Sequence, residues 1–339
     1  MKKSSSQLSL FDTTAIGTSF GLGGLRAFNR VATNDDDETP PPGPPVAITA
    51  RNYRLVGDRV LSGSWKQRAE DNIEAIRLAT VIEAEQRPAT ADEQASLAKF
   101  TGFGAGDLAN ALFPLPGEDF REGWEEIGAR LESLVDKVER SSLARSTQYA
   151  HYTPEWMVRA MWQGVRRVGF RTGSVLEPGC GSGLFIALAP DAPAGSVTFT
   201  GIEADPVTAR IARLLYPEAW IRAEDFTKAA LPETYDLVIG NPPFSDRTVR
   251  GTDRIGKLGL SLHDYFIARA IDRLRPGGIG AFVVSRYTMD KQNPKARAEI
   301  AAMADLVGAV RMVSPRKCEC VAGEGRGASR PNTPASSAA

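Results

Sequence analysis

Cysteine and histidine are scarce in this chain: 339 residues hold three Cys and two His. Cys180, Cys318 and Cys320 cannot build a disulfide framework and fit a reducing compartment. Cys318-x-Cys320 has no second pair to complete a zinc site, so no metal is expected. Long apolar runs are also missing. No stretch approaches the roughly 18 apolar residues of a membrane helix, and the start, Met1-Lys2-Lys3 followed by Ser4-Ser5-Ser6-Gln7, has no apolar signal core. A soluble, cytoplasmic protein with no membrane partner is the expectation. Net charge is absent as well, with 41 Lys+Arg against 41 Asp+Glu. That excludes a small, wholly basic nucleic-acid binder but leaves room for local basic patches. What the chain does have is 42% hydrophobic residues, enough to bury a core in one large or two modest domains.

Residues 1–50 show little apolar periodicity, and 34–45 read as an acidic run followed by prolines, an extended linker behind a disordered arm. Residues 51–140 have helical spacing. Ile73, Ile76, Ala79 and Ile82 mark a helix that Pro88 stops; Thr90 and Glu93 form a capping-box pattern for a second; Ile127, Leu131, Leu134 and Val138 mark one face of a third. This segment reads as a small helical lead-in domain. From 141 to 314 short apolar runs alternate with helical stretches, which predicts an α/β fold, a mainly parallel sheet with helices on both faces. Strands are expected at 173–177, 197–202, 219–222, 235–240, 279–285 and 306–313. Residues 315–339 change character, with 14 Gly, Ala, Ser or Pro among 25.

Two motifs carry chemistry. Glu177-Pro178-Gly179-Cys180-Gly181-Ser182-Gly183 ends one strand and opens a helix, where glycines let the backbone turn tightly and approach a ligand. Glu203 follows Gly183 by 20 residues at the end of the next strand, placed to accept bonds from two ribose hydroxyls. These features do not separate a nicotinamide dinucleotide from S-adenosylmethionine. At 241–244 the fourth strand runs directly into Asn241-Pro242-Pro243-Phe244. Proline has no N–H and restricts the residue before it, so the chain must leave the sheet in a rigid turn. The Asn241 side-chain oxygen and the Pro242 carbonyl are then two fixed acceptors beside the Phe244 ring, a set that suits a planar ring bearing an exocyclic amine. The bland reading is a turn that merely ends a strand.

Glu177 through Gly183 together with Asn241 through Phe244 resemble the amino-methyltransferases, most closely the N6-adenine DNA methyltransferases. The resemblance spans residues 145–313. It implies a Rossmann-like, S-adenosyl-L-methionine-dependent enzyme that transfers a methyl group to the N6 amine of a flipped-out adenine. It also implies cofactor roles for Tyr152 and Thr153, similar to the segment that closes over the methionine part, and for Asp225 and Phe226, similar to the pair that meets the cofactor's adenine. Leu262-His263-Asp264-Tyr265-Phe266 resembles the helix start that walls the pocket, with His263 expected to pack or bond locally. Residues 53–113 and Ser285 through Lys291 resemble large plasmid- and phage-borne adenine methylases, often fused to a helicase, which implies a restriction-modification or antirestriction setting in mobile DNA. Methyltransferases acting on guanine N2 of RNA or on a protein glutamine use the same turn and stay open. So does a catalytically inactive, truncated DNA-binding module.

Duplex DNA as partner needs positive charge. Residues 246–298 hold eleven Lys/Arg and five Asp/Glu, and Arg247, Arg250, Arg254 and Lys257 follow the Asn-Pro-Pro turn where phosphates would pass. Gln7-Leu8-Ser9-Leu10-Phe11 resembles the peptide with which bacterial proteins dock on the replication sliding clamp. A methyltransferase sheet of this kind has seven strands. The tail after 314, with Val321 as its one large aliphatic residue, cannot supply the seventh, so a core truncated or frame-shifted one strand short is expected.

Overall fold

A computed structural model describes residues 50–312 apart from 116, 149–152, 232 and 233. Five helices come first: α1 (Trp65–Ala84), α2 (Ala91–Leu97), α3 (Gly106–Leu112), α4 (Glu125–Leu134) and α5 (Lys137–Ser146). The start of α1 is set by Ser64, whose side chain accepts the Gln67 N–H. At α2 the reciprocal Thr90–Glu93 capping box is formed as expected. The helix expected across 127–138 is instead two helices. Asp136 accepts the N–H groups of Val138 and Glu139 while Glu139 bonds back to Asp136, and this second capping box breaks the run at Val135 and leaves Val138 71% exposed.

The sheet follows, with α6 (Glu155–Val168), β1 (Gly173–Pro178), α7 (Leu184–Ala187), β2 (Val197–Glu203), α8 (Pro206–Leu215), β3 (Trp220–Ala223), β4 (Tyr235–Gly240), α9 (Leu262–Ile271), β5 (Leu274–Phe282), α10 (Arg286–Asp290) and α11 (Lys295–Ala301). All pairings are parallel, in the order β3-β2-β1-β4-β5. The two-residue period of the strands divides the core. Val175, Leu237 and Ile239 pack on Val158, Trp162 and Val165 of α6, whereas Leu176 and Val238 pack with Tyr265 and Phe266 of α9. Around Pro276-Gly277-Gly278 the β4–β5 register skips from Tyr235↔Leu274 to Leu237↔Ile279, which accommodates the expected turn inside the strand.

The sixth strand expected at 306–313 is not formed: residues 304–312 lie outside any strand, with Val307 76% and Val310 87% exposed. No strand follows β5 among the described residues. No described helix is long and apolar enough to cross a membrane.

The helices before the sheet are fastened to it across residue 140. Gln94 Nε2 donates to the carbonyls of Leu214 and Leu215, the Tyr53 N–H donates to Leu215 O at 2.7 Å, and Arg210 pairs with Glu139. Ile73, Ile76, Leu97 and Phe100 share one apolar cluster with Ile211, Ala212 and Leu215 of α8. Fully buried Asn72 closes the loop after α2, accepting the Thr101 N–H at 2.8 Å and donating to Gly102 O at 2.5 Å. Asn72→Ala leaves both backbone groups buried without partners and should lower unfolding free energy by about 2–4 kcal/mol in urea titration; a loss under about 1 kcal/mol would contradict this role.

Candidate functional site

In an open parallel sheet, ligands bind outside the carboxyl ends of the strands where the strand order reverses. Here that point lies between β1 and β4, and the two chemistry-bearing motifs leave these adjacent strands. The register sets Glu177 against Gly201 and Pro178 against Ile202, so the ends of β1 and β2 are level. The Gly179 and Cys180 N–H groups both donate to Ile202 O, at 2.8 and 3.0 Å. Gly181 adopts φ +55° with nothing within 4 Å of where a Cβ would stand. That glycine supplies a left-handed turn and open space above the loop. Gly183, at φ +81°, has a different constraint, since a Cβ there would lie 2.3 Å from the Tyr216 ring.

Two acids sit at these strand ends. Glu203 accepts the Gly181 N–H on one oxygen and the Asp205 N–H on the other, each at 2.9 Å. Burial pushes its pKa up to about 7, helped by the Asp205 charge and opposed by those N–H groups. Glu177 is 3% exposed, and its Oε2 has no hydrogen-bond partner among the described residues. Burial, with Glu203 nearby, raises its pKa well above the carboxylate range. Cys180 is buried, and its thiol is pushed up by the same burial and the same acids.

The Asn-Pro-Pro turn and the glycine loop leave neighbouring strand ends. A Cβ on Gly240 would stand 3.6 Å from Glu177 Cγ and 3.8 Å from the Pro178 carbonyl. The turn is braced from α9. His263 Nδ1 lies 3.1 Å from Pro243 O, the imidazole stacks on Phe244 with ring centres 4.9 Å apart, and the Ser285 N–H points at His263 Nε2 at 3.3 Å. Beyond β3, the Glu224 N–H donates to Glu203 O and brings Asp225 and Phe226 to the same edge. Asp225 Oδ1 accepts the N–H and hydroxyl of Thr227, and Phe226 is buried against Phe266 with Arg269 over its ring. Thr153 is buried just before α6, while Tyr152 lies outside the described residues.

The basic loop is tied at its base by the Thr248↔Ser261 bridge and by Val249 N–H to Leu260 O. Arg247, Arg250 and Lys257 are exposed and form no ion pair among the described residues. Arg254 is engaged differently, paired with Asp272 and Glu299. The Gln7 to Phe11 peptide and Cys318-x-Cys320 lie outside the described residues. His263 packs and bonds as expected, and its partners are Pro243, Phe244 and Ser285.

These residues fit S-adenosyl-L-methionine. Glu203 would take the ribose hydroxyls, the open space over Gly181 would admit the nucleoside, and the unpartnered Glu177 oxygen suits the cationic end. The group supplies a sulfonium-activated methyl; the chain supplies its orientation. Ribose hydroxyls donate to a carboxylate, so calorimetric affinity should rise as pH passes upward through about 7. Glu203→Gln should bind weakly and without that pH dependence. Folded Glu203 holds its proton more tightly than the usual 4.5 allows, so it costs stability progressively from pH 4.5 to 7. The Gln variant should therefore unfold no more easily than wild type at pH 8; pH-independent wild-type binding would contradict the assignment.

Residues 159–317 match the family model described as methyltransferase small domain. Among the similar curated relatives are three phage and bacterial proteins. The Defense against restriction protein B of Escherichia phage P1 is 30% identical over 167 residues, 48% of this chain and 7% of that protein. The Type II methyltransferase M.TthHB8I of Thermus thermophilus is 32% identical over 148 residues, 39% of this chain and 33% of the relative. The Type II methyltransferase M.XhoI of Xanthomonas vasicola is 32% identical over 104 residues, 28% of this chain and 19% of the relative. The chain thus spans a third or less of the length of each. With the β3-β2-β1-β4-β5 order and the glycine turn after β1, the described residues of the matched segment have the Rossmann-like fold that S-adenosyl-L-methionine-dependent methyltransferases share.

Proposed function

We propose that this chain transfers the methyl group of S-adenosyl-L-methionine to the N6 amine of an adenine turned out of duplex DNA. The observation that carries this reading is that the Asn241-Pro242-Pro243-Phe244 turn leaves β4 directly after Gly240, which lies beside Glu177 and Pro178 at the end of the adjacent β1. Asn241 Oδ1 and Pro242 O would accept the two amine N–H bonds, drawing the nitrogen lone pair out of conjugation. S-adenosyl-L-methionine would supply the methyl group: the freed nitrogen would take it, sulfur would keep the C–S electron pair, and the surplus N–H proton would go to solvent. Phe244 would replace part of the stacking lost when the base leaves the helix, a cost of a few kcal/mol. No covalent enzyme intermediate is needed; orientation and fixed dipoles do the work.

Adenine over other amines is supported by the similarity of the Asn-Pro-Pro-Phe turn to the N6-adenine group. A mobile-DNA setting is supported by the phage P1 relative, whose name concerns defense against restriction. Arg247, Arg250 and Lys257 would hold phosphates; Arg254, committed to Asp272 and Glu299, would instead brace the loop.

Asn241→Ala should abolish labelled-methyl transfer to unmethylated DNA while leaving S-adenosyl-L-methionine affinity within about threefold, because the lost acceptor faces the amine and not the cofactor. Near-normal transfer by this variant, or transfer by wild type only to RNA or to protein, would overturn the reading. Arg247→Ala with Arg250→Ala should weaken DNA binding across sequences and lower the salt slope by about one per side chain. An unchanged slope would remove these two from the DNA surface.

A further inference from the structure

We propose that His263 is a positioning residue for methyl transfer: as a neutral imidazole it clamps the Asn241–Phe244 turn between α9 and the chain leaving β5. This rests on the function proposed above, and it concerns a residue that touches none of the reacting atoms.

The tautomer follows from the neighbours. The Ser285 backbone N–H can only donate, so Nε2, 3.3 Å away, must accept; Nδ1 then carries the proton and donates to Pro243 O at 3.1 Å. Pro243 has no N–H, so its carbonyl is the one backbone hydrogen-bonding group it offers, and holding that carbonyl fixes the peptide directly after the Pro242 acceptor. The same imidazole lies 26° from the plane of the Phe244 ring, which sets the orientation of the proposed stacking surface. The His263 N–H also meets Ser245 O, and the Leu262 N–H donates to Arg247 O at 2.7 Å, so the first turn of α9 also holds the chain that leaves the turn. One side chain, 5% exposed, therefore joins three segments far apart in sequence: 241–245, the start of α9 and the segment after β5.

A proton on Nε2 would set N–H against N–H at Ser285 and undo the clamp. Burial keeps the ring below its ordinary pKa of 6.5, opposed by the Pro243 carbonyl and by Asp264 and Asp246. The other charges nearby are committed elsewhere: Lys291 lies 3.4 Å from Asp264, and Arg286 bonds Tyr287. Acid should thus loosen the turn and lower kcat, whereas protonation of Glu203 below about 7 acts on KM for S-adenosyl-L-methionine, so the two effects are read in different parameters.

The experiment compares wild type, His263→Ala and His263→Asn in steady-state methyl transfer to unmethylated DNA from pH 5.5 to 8.5. The Asn amide reaches the Nδ1 position and can keep the bond to Pro243 O. His263→Ala should lose about tenfold or more in kcat with KM for S-adenosyl-L-methionine little changed. His263→Asn should recover most of that loss and lack the acid limb of kcat that wild type shows below pH 6.5. Wild-type kcat in the Ala variant, or an Asn variant as impaired as Ala with the acid limb retained, would overturn the proposal. The clamp is also read without turnover. The chain has two histidines, so ring-nitrogen NMR of the full-length protein, assigned with His263→Asn, should show a neutral His263 protonated on Nδ1 at pH 7.5. The opposite tautomer or a charged ring would overturn the clamp; absence of methyl transfer by wild type with the expected tautomer would instead count against the proposed function.

Discussion

The parallel alignment of β1 between β2 and β4 is the constraint on which the rest depends. Because these strands run the same way and end level, the backbone leaving each one emerges on a single edge. Three kinds of sequence at three strand ends then become one surface. A glycine turn follows β1, an acid ends β2, and Asn-Pro-Pro-Phe follows β4. None of these has much meaning alone. A glycine-rich turn serves many nucleotides, a terminal acid is common, and an Asn-Pro step often just ends a strand. Their convergence on one edge is what supports the proposal of a nucleoside-bearing cofactor facing an amine.

The electrostatics of that edge are costly to the empty fold. Glu177 and Glu203 stand together in a buried place, and each has its proton affinity raised by the loss of water. A fold selected for stability alone would not gather them there. A ligand with hydroxyl donors and positive charge offsets that cost when it binds, which couples occupancy of the site to the stability of the sheet. The helices before the sheet contribute to the same rigidity. Asn72 fixes the Thr101–Gly102 loop, and the Ser182 hydroxyl at the glycine turn lies 3.4 Å from Phe100 O, so the lead-in buttresses the turn as well as capping α8.

Much of this was legible because it is local. Strand β4 follows from its continuous apolar run, and its end from the prolines; the α2 start follows from Thr90 and Glu93. The Asp136–Glu139 box was equally local but was masked by the apolar spacing of Ile127 to Val138, which runs on across a break. The segment 306–312 looks like a strand by composition, yet it pairs with nothing among the described residues, although the outer edge of β5 is open. Arg254 reads as a phosphate ligand from its loop, but Glu299 and Asp272 reach it from 45 and 18 residues away. His263 was legible only as part of a wall, since its partners, Pro243 and Ser285, lie 20 and 22 residues distant on either side. Distant pairing is what the sequence pattern does not carry.

The central claim is that this edge methylates the N6 amine of adenine in DNA. Its most direct measurement is mass spectrometry of nucleosides digested from unmethylated DNA after incubation with the full chain and isotopically labelled S-adenosyl-L-methionine. The account predicts labelled N6-methyldeoxyadenosine as the product. Label recovered in N4-methyldeoxycytidine, or in RNA or protein with none in DNA, would contradict it.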